Sequence, residues 1–318
     1  MFKISVIIPV KNGALTIEKC LQAIIAQECI DNIEIIVLDS SSTDNSVAIS
    51  LKYGAKIISI LPNEFNHGLT RNKGVNHASG ELVFLTVQDA WLSDNIHFQK
   101  MISHFTDHEV QSVNGMQAIP HDIKKNPALW FKRSCTPLTE THQYKDGKFF
   151  KDIAPSQQKA ICCWDNVNTM YRKSALINLP FEKTNLSEDM IWSKKALEIG
   201  WKIIRDPSLV AYHYHHHTFI YNFKVNYAVA YIDRITFGIK PKYPLIIMPF
   251  LRRVYSITKN KKLKGLSKLS WIIHNAGIFI SHLLSVYVFR ALLFLGGANL
   301  LNRSLHLFCN NALQGKQK

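Results

Sequence analysis

In its N-terminal part the chain carries its hydrophobic residues in short, nearly continuous β-branched runs, separated by polar segments with helical spacing. Ile4–Val10 (ISVIIPV), residues 33–38 (IEIIVL), 56–61 and 81–87 each read as a strand buried on both faces of a parallel sheet. Between them, Thr16 followed by Leu21, Ile24 and Ile25 predicts a helix, as do residues 46–53, closed by Gly54, and 69–78, closed by Gly80. Strands alternating with helices imply an α/β sheet with right-handed crossovers, whose ligands collect at the carboxyl ends of the strands. Asn12, Asp39, the loop 65–68 and Gln88-Asp89 all fall at such ends.

The pattern loosens after Trp91. Residues 95–105 read as a helix and 110–117 as a strand, while 120–155 is polar and loop-like, a long insertion of the kind that covers sites. Order returns at 160–171. A helix follows at 189–199, headed by Glu188-Asp189 and closed by Gly200, then a strand at 201–204. Beyond it lies an internal run, Val210-Ala211-Tyr212-His213-Tyr214-His215-His216-His217, in which His213 and His215 face the same way if the segment is extended.

Charge divides the chain. From Thr218 onward there are 15 Lys/Arg and one acid, Asp233, whereas the first 217 residues hold 23 basic and 22 acidic residues. A near-neutral domain, residues 1–217, therefore precedes a basic, largely helical region, residues 218–318. That region also carries long apolar runs at 243–251 and 271–295 around the basic stretch 259–268 (KNKKLKGLSK). Basic and apolar together favour an anionic membrane surface over nucleic acid. Arg290 interrupts the best candidate span, so attachment along one face is expected in place of a crossing. With 47% hydrophobic and 19% charged residues the chain is neither disordered nor polytopic. The first apolar run is too short for a signal peptide. Six cysteines (Cys20, Cys29, Cys135, Cys162, Cys163, Cys309) have no metal-ligand spacing and read as reduced thiols of the cytosol.

The chemistry concentrates in residues 65–90, FNHGLTRNKGVNHASGELVFLTVQDA. Arg71 in the first turn of a helix suits a phosphate, because free N–H groups and a guanidinium can meet the same anion. Asp89 brings a carboxylate to the same sheet edge. The pieces VIIPVKNG, VLDSSSTDNS, TRNKGVNHASG, a strand ending in Asp89, SEDMIW and a histidine after the last strand resemble the family 2 glycosyltransferases over roughly residues 4–217. FNHGLTRNKG, FLTVQDA and SEDMIW…VAYHYH look most like rhamnosyltransferases of surface polysaccharide synthesis.

The resemblance implies an A-type glycosyltransferase fold with a mostly parallel central sheet. It also implies inverting transfer from a nucleotide-diphosphate sugar to a hydroxyl of a glycan or lipid-linked acceptor, at the cytoplasmic face of the plasma membrane. Pro9, Asn12 and Asp39 would line the nucleoside pocket, and His67, Arg71, Gln88 and Asp89 would face the donor. Asp89 matches the last acid of the family's DxD motif, which holds Mg²⁺ or Mn²⁺, and His213, with His215 nearby, would complete that site. Asp189 of the Glu188-Asp189 pair matches the catalytic base. The sequence departs from the motif at its first acid, which here is Val87. That departure keeps an alternative open, a catalytically inactive sugar-nucleotide-binding partner in an assembly complex. An enzyme making nucleotide sugars would want a glycine-rich phosphate loop, which VIIPVKNG lacks.

Overall fold

A computed structural model describes residues 2–28, 33–122, 124–129, 138–146, 148–184, 186–241 and 247–309. Cys29, Cys135, the side chain of Cys309 and residues 243–246 of the first apolar run lie outside the described residues. The chain separates into two compact units. Residues 2–118 with 138–213 form the first, and residues 119–129 with 214–309 form the second.

The first unit is a nine-stranded sheet flanked by helices. Its strands are β1 (Ile4–Val10), β2 (Ile33–Asp39), β3 (Lys56–Ser59), β4 (Leu82–Leu85), β5 (Trp91–Leu92), β6 (Val110–Ala118), β7 (Glu140–His142), β8 (Thr169–Arg172) and β9 (Lys202–Tyr212). They lie in the order β3-β2-β1-β4-β8-β6-β9-β5, with β7 also on β9. The first four strands are parallel throughout, β6 and β9 form a further parallel pair, and β8 runs antiparallel between the two groups. The chain winds outward from β1 to β3 and returns to place β4 on the other side of β1. The carboxyl ends of β1 and β4 are therefore a topological switch point, the place where open α/β sheets bind ligands.

Among the described residues, eight α-helices accompany these strands: α1 (Ile17–Ile25), α2 (Ser46–Lys52), α3 (His67–His77), α4 (His97–His104), α5 (Lys148–Asp152), α6 (Pro155–Ile161), α7 (Lys173–Asn178) and α8 (Glu188–Glu198). The β-branched runs of β1, β2 and β4 are buried, together with Ile17, Leu21 and Ile24 of α1 and with Phe98 and Met101 of α4. Helix α3 begins where Asn66 caps it, its side chain accepting from the Leu69 N–H at 3.2 Å. Gly74 lets α3 lie directly on β1, since a Cβ there would sit 2.7 Å from Ile7. The insertion at 120–155 is less loop-like than its composition suggests. It contains β7 and α5, and β7 is held on β9 with Arg205 at 3.3 Å from Glu140.

The second unit is helical: α9 (Phe219–Phe237), α10 (Met248–Lys259) and α11 (Gly265–Cys309), the last broken at Gly297 by a left-handed φ of 58°. A polar seam runs between α9 and α11. Asn222 donates to the Ile278 carbonyl and to Ser281, and Tyr227 pairs with Ser304. Asn126 and Asn275, both buried, exchange amide hydrogen bonds at 3.1 and 3.0 Å. The interruption at Arg290 carries less weight than the sequence suggests. Helix α11 contains an 18-residue window apolar enough to cross a membrane, and only 22% of that window is buried within the protein.

Candidate active site

Three groups of side chains gather at the carboxyl edge of the sheet. The first lies at the ends of β1 and β2. Asp39, buried, accepts from the Ser42 N–H with both oxygens, at 3.1 and 3.3 Å. Asn12 adopts a left-handed φ of 49°, a conformation asparagine tolerates, and its Oδ1 accepts from the Thr43 N–H at 2.8 Å. Lys11 Nζ reaches the carbonyls of Ser40 and Ser41, both at 2.6 Å, which closes the loop after β2 against the loop after β1. Pro9 sits in β1 opposite Leu38. Gln88 accepts from the Lys11 N–H at 2.8 Å and donates to the Lys11 carbonyl at 3.2 Å. Its amide clamps the loop after β1.

The second group joins α3, α8 and the loop before β8. Arg71 and Glu188, each 4% exposed, form an ion pair at 2.6 Å. Arg71 also donates to the His67 carbonyl at 3.2 Å, and its Nε is buried with no hydrogen-bond partner. Sequence reasoning puts this guanidinium on the donor phosphate; here it is held by Glu188. Asn166 reads both acids at once. Its side chain donates to Glu188 at 3.1 Å and its N–H to Asp189 at 3.0 Å, while Tyr171 donates to its Oδ1 at 2.8 Å. Asp189 also accepts from the Met190 N–H at 2.8 Å.

Two neighbouring carboxylates thus acquire opposite characters. Burial and the charge of Glu188 push Asp189 well above the usual carboxylate range. Burial acts upward on Glu188 as well, but Arg71 and His67 outweigh it and hold Glu188 below its ordinary value. Burial first, and Arg71 after it, lowers His67, although Glu188 acts the other way. The outcome is one acid favoured as a carboxylate beside another that holds its proton more tightly than an ordinary carboxyl.

The third group is Asp89 and His213. Asp89 is buried beyond the end of β4, and the Nε2 of His213 lies 3.5 Å from its Oδ1. The Nδ1 of His213 is 2.9 Å from Gln117 Oε1, and Gln117 in turn bonds the side chain of Asp165. Where Gln117 Oε1 accepts from His213 Nδ1–H, its amide N–H₂ is the group that bonds Asp165, whose carboxyl burial pushes up, and His213 Nε2 faces Asp89. A carboxylate beside an imidazole nitrogen can ligate a divalent ion. His215, two residues along, belongs to the second unit.

Gln117, Asp165 and Asn166 escaped the sequence reading. The local signal for the last two is the run Trp164-Asp165-Asn166-Val167-Asn168, unusually rich in short amides ahead of an apolar strand. Asn168, fully buried, anchors this run by donating to the Leu209 carbonyl at 2.9 Å.

A mostly parallel sheet with a topological switch point and acids along its carboxyl edge is the A-type glycosyltransferase fold. The chain belongs to glycosyl transferase family 2, whose family model matches residues 5–179. It is 36% identical over 190 residues to the O-antigen chain rhamnosyltransferase WbaN of Salmonella anatum, covering 58% of each chain. Over 224 residues it is 31% identical to the O-antigen chain rhamnosyltransferase RfbN of Salmonella typhimurium, covering 68% of each. The chain thus spans somewhat more than half of the first relative and about two thirds of the second. Among solved structures it is similar to Staphylococcus aureus TarS in complex with UDP-GlcNAc, at a TM-score of 0.56 and 17% identity over 98% of this chain and 81% of that one. It is also similar to the mannosyltransferase PcManGT of Pyrobaculum calidifontis in complex with GDP-Man and Mn²⁺, at 0.54 and 17% over 99% and 88%. The two structural likenesses concern the fold.

Proposed function

We propose that this glycosyltransferase moves a sugar, rhamnose by analogy with its O-antigen relatives, from a nucleotide-diphosphate donor to a hydroxyl of a lipid-linked glycan. Residues 1–217 carry the transfer and residues 218–318 hold the enzyme to the cytoplasmic face of the membrane. The observation that carries this reading is the carboxyl of Asp189, pinned by the Asn166 N–H beside the Arg71–Glu188 pair and raised in proton affinity by burial. In its ionised form Asp189 accepts the acceptor hydroxyl's proton as that oxygen bonds to the anomeric carbon from the face opposite the leaving group. The anomeric carbon–oxygen bond breaks with its electron pair going to the nucleotide diphosphate, and the configuration inverts.

Asp39, Asn12 and Pro9 hold the nucleoside at the ends of β1 and β2, with Gln88 keeping the loop after β1 in shape. His67 and Arg71 bound the donor side, Arg71 acting through Glu188, whose charge keeps Asp189 basic. A divalent ion, Mg²⁺ or Mn²⁺, held by Asp89 and His213 would neutralise charge on the leaving diphosphate.

Asp189→Asn tests the assignment. Turnover is expected to fall at least ~10²-fold, the scale of general-base catalysis, while the thermal shift produced by the nucleotide sugar persists. Turnover near wild type in that variant refutes the role of Asp189. Val87 in place of an acid supports a second reading, a sugar-nucleotide-binding partner without activity. Donor binding with no hydrolysis or transfer, with or without Mn²⁺, would establish it.

A further inference from the structure

The second unit holds a cluster of one arginine and two histidines with, among the described residues, no acid beside it. Thr258 accepts from Lys268 and Phe250 stacks on Phe279 at 5.5 Å, so α10 and α11 run antiparallel in a register that puts Arg253 level with His274. Both His274 and His282 lie within electrostatic reach of Arg253. The His216 ring lies 4.8 Å from that of His274, tilted by 31°, and Trp271 meets His274 edge-on at 5.3 Å.

Residues 119–132 and 214–318 contain two acids, Asp122 and Asp233. Asp122 pairs with Lys125 and Asp233 sits near the end of α9. Among the described residues no carboxylate lies within ion-pair distance of Arg253, which is half-buried. A guanidinium and imidazoles brought together between two helices without a counterion form a receptor for an anion, and forked N–H donors match phosphate oxygens. The surroundings indicate how that anion arrives. Ile247, Met248 and Leu251 on α10 and Ile273 and Ile280 on α11 are exposed around the cluster, and α11 is apolar enough to enter a bilayer.

We propose that Arg253, His274 and His282, walled by His216 and Trp271, bind a phosphate or diphosphate carried on a lipid. The proposal deepens the reading of the chain as a transferase for lipid-linked acceptors and rests on it. The diphosphate of an isoprenoid carrier and the phosphate headgroup of an anionic bilayer lipid share this chemistry, so the probes must separate them.

The test measures equilibrium binding of the full chain in detergent to a C15 isoprenyl diphosphate and to inorganic diphosphate. A third arm measures binding to phosphatidylcholine vesicles with and without phosphatidylglycerol. Arg253→Gln and His274→Phe are each expected to weaken isoprenyl diphosphate binding about tenfold, the loss of one charge-assisted hydrogen bond, and Arg253→Lys to keep most of it. A loss seen only with phosphatidylglycerol vesicles supports the site and makes the bilayer headgroup its ligand. Inorganic diphosphate binding as tightly as the isoprenyl compound overturns the lipid assignment. Wild-type affinity of Arg253→Gln and His274→Phe for every probe overturns the site itself. Hydrolysis of nucleotide sugars by the wild-type protein reports separately on the transferase reading, because it needs no acceptor.

Discussion

Glu188→Gln separates the two duties of the acid pair. Arg71 and Glu188 are each 4% exposed, so their ion pair is buried, and removing one partner of such a pair costs roughly 3–5 kcal/mol because the other charge is left uncompensated. Glutamine keeps an acceptor for Arg71 and Asn166, and Asp189 can ionise to replace the lost charge, so the lower end, about 3 kcal/mol, is expected. For a unit of this size that corresponds to a fall in Tm of roughly 6–12 °C.

The pH dependence has a definite sign. The folded-state pKa of Glu188 is lowered, so its contribution to stability is present above the unfolded carboxylate pKa and lost as pH falls through the folded value. The Tm gap between wild type and variant should therefore be full at neutral pH and close in acid. Asp189 is raised by burial and by Glu188. With Glu188 neutral and Arg71 unopposed, Asp189 loses its proton more readily, and the ascending limb of kcat/KM against pH moves to lower pH. Calorimetry and initial rates across the acid and neutral range measure both effects. An ascending limb that stays put in Glu188→Gln, or a variant as stable as wild type at neutral pH, would refute the account of the pair.

Two further outcomes follow from named contacts. Gln117→Ala should weaken Mn²⁺ binding by about 10–100-fold, the usual cost of losing a group that orients a metal-binding histidine, as read by Mn²⁺ titration without donor; unchanged affinity counts against the orienting role. In the helical unit, Asn275→Leu leaves the buried amide of Asn126 without its partner and should cost about 1–3 kcal/mol, part of which Asn126→Leu in the same chain restores; denaturant unfolding in detergent measures both.

The parallel half of the sheet is legible in the sequence because β1, β2 and β4 are buried on both faces and must be apolar throughout. The polar strand Glu140–His142 is not, since its existence depends on the edge of β9 and on Arg205, neither of which leaves a local pattern. The site divides in the same way. Asn12, Asp39 and Asp89 follow the ends of readable strands, and Glu188-Asp189 heads a readable helix. Asn166 joins the acid pair through contacts 22 and 23 residues away in sequence, which no spacing rule predicts.

Gln117 shows most clearly why the remainder was hidden. It reaches His213 only because β6 pairs with β9 in a register that sets Gln117 against Ala211. That register matters more in this chain than in one with two acids at the strand end. Val87 leaves Asp89 as the one carboxylate of the motif, so an imidazole must supply the next ligand of the proposed metal site. An imidazole can ligate through Nε2 only in the tautomer that carries its proton on Nδ1. In the proposed metal site the relay from Asp165 through Gln117 would select that tautomer without adding a charge beside the ion. On that proposal the departure from the motif and the Gln117 relay belong to one arrangement, in which a hydrogen-bonded orientation would stand where a second carboxylate otherwise acts.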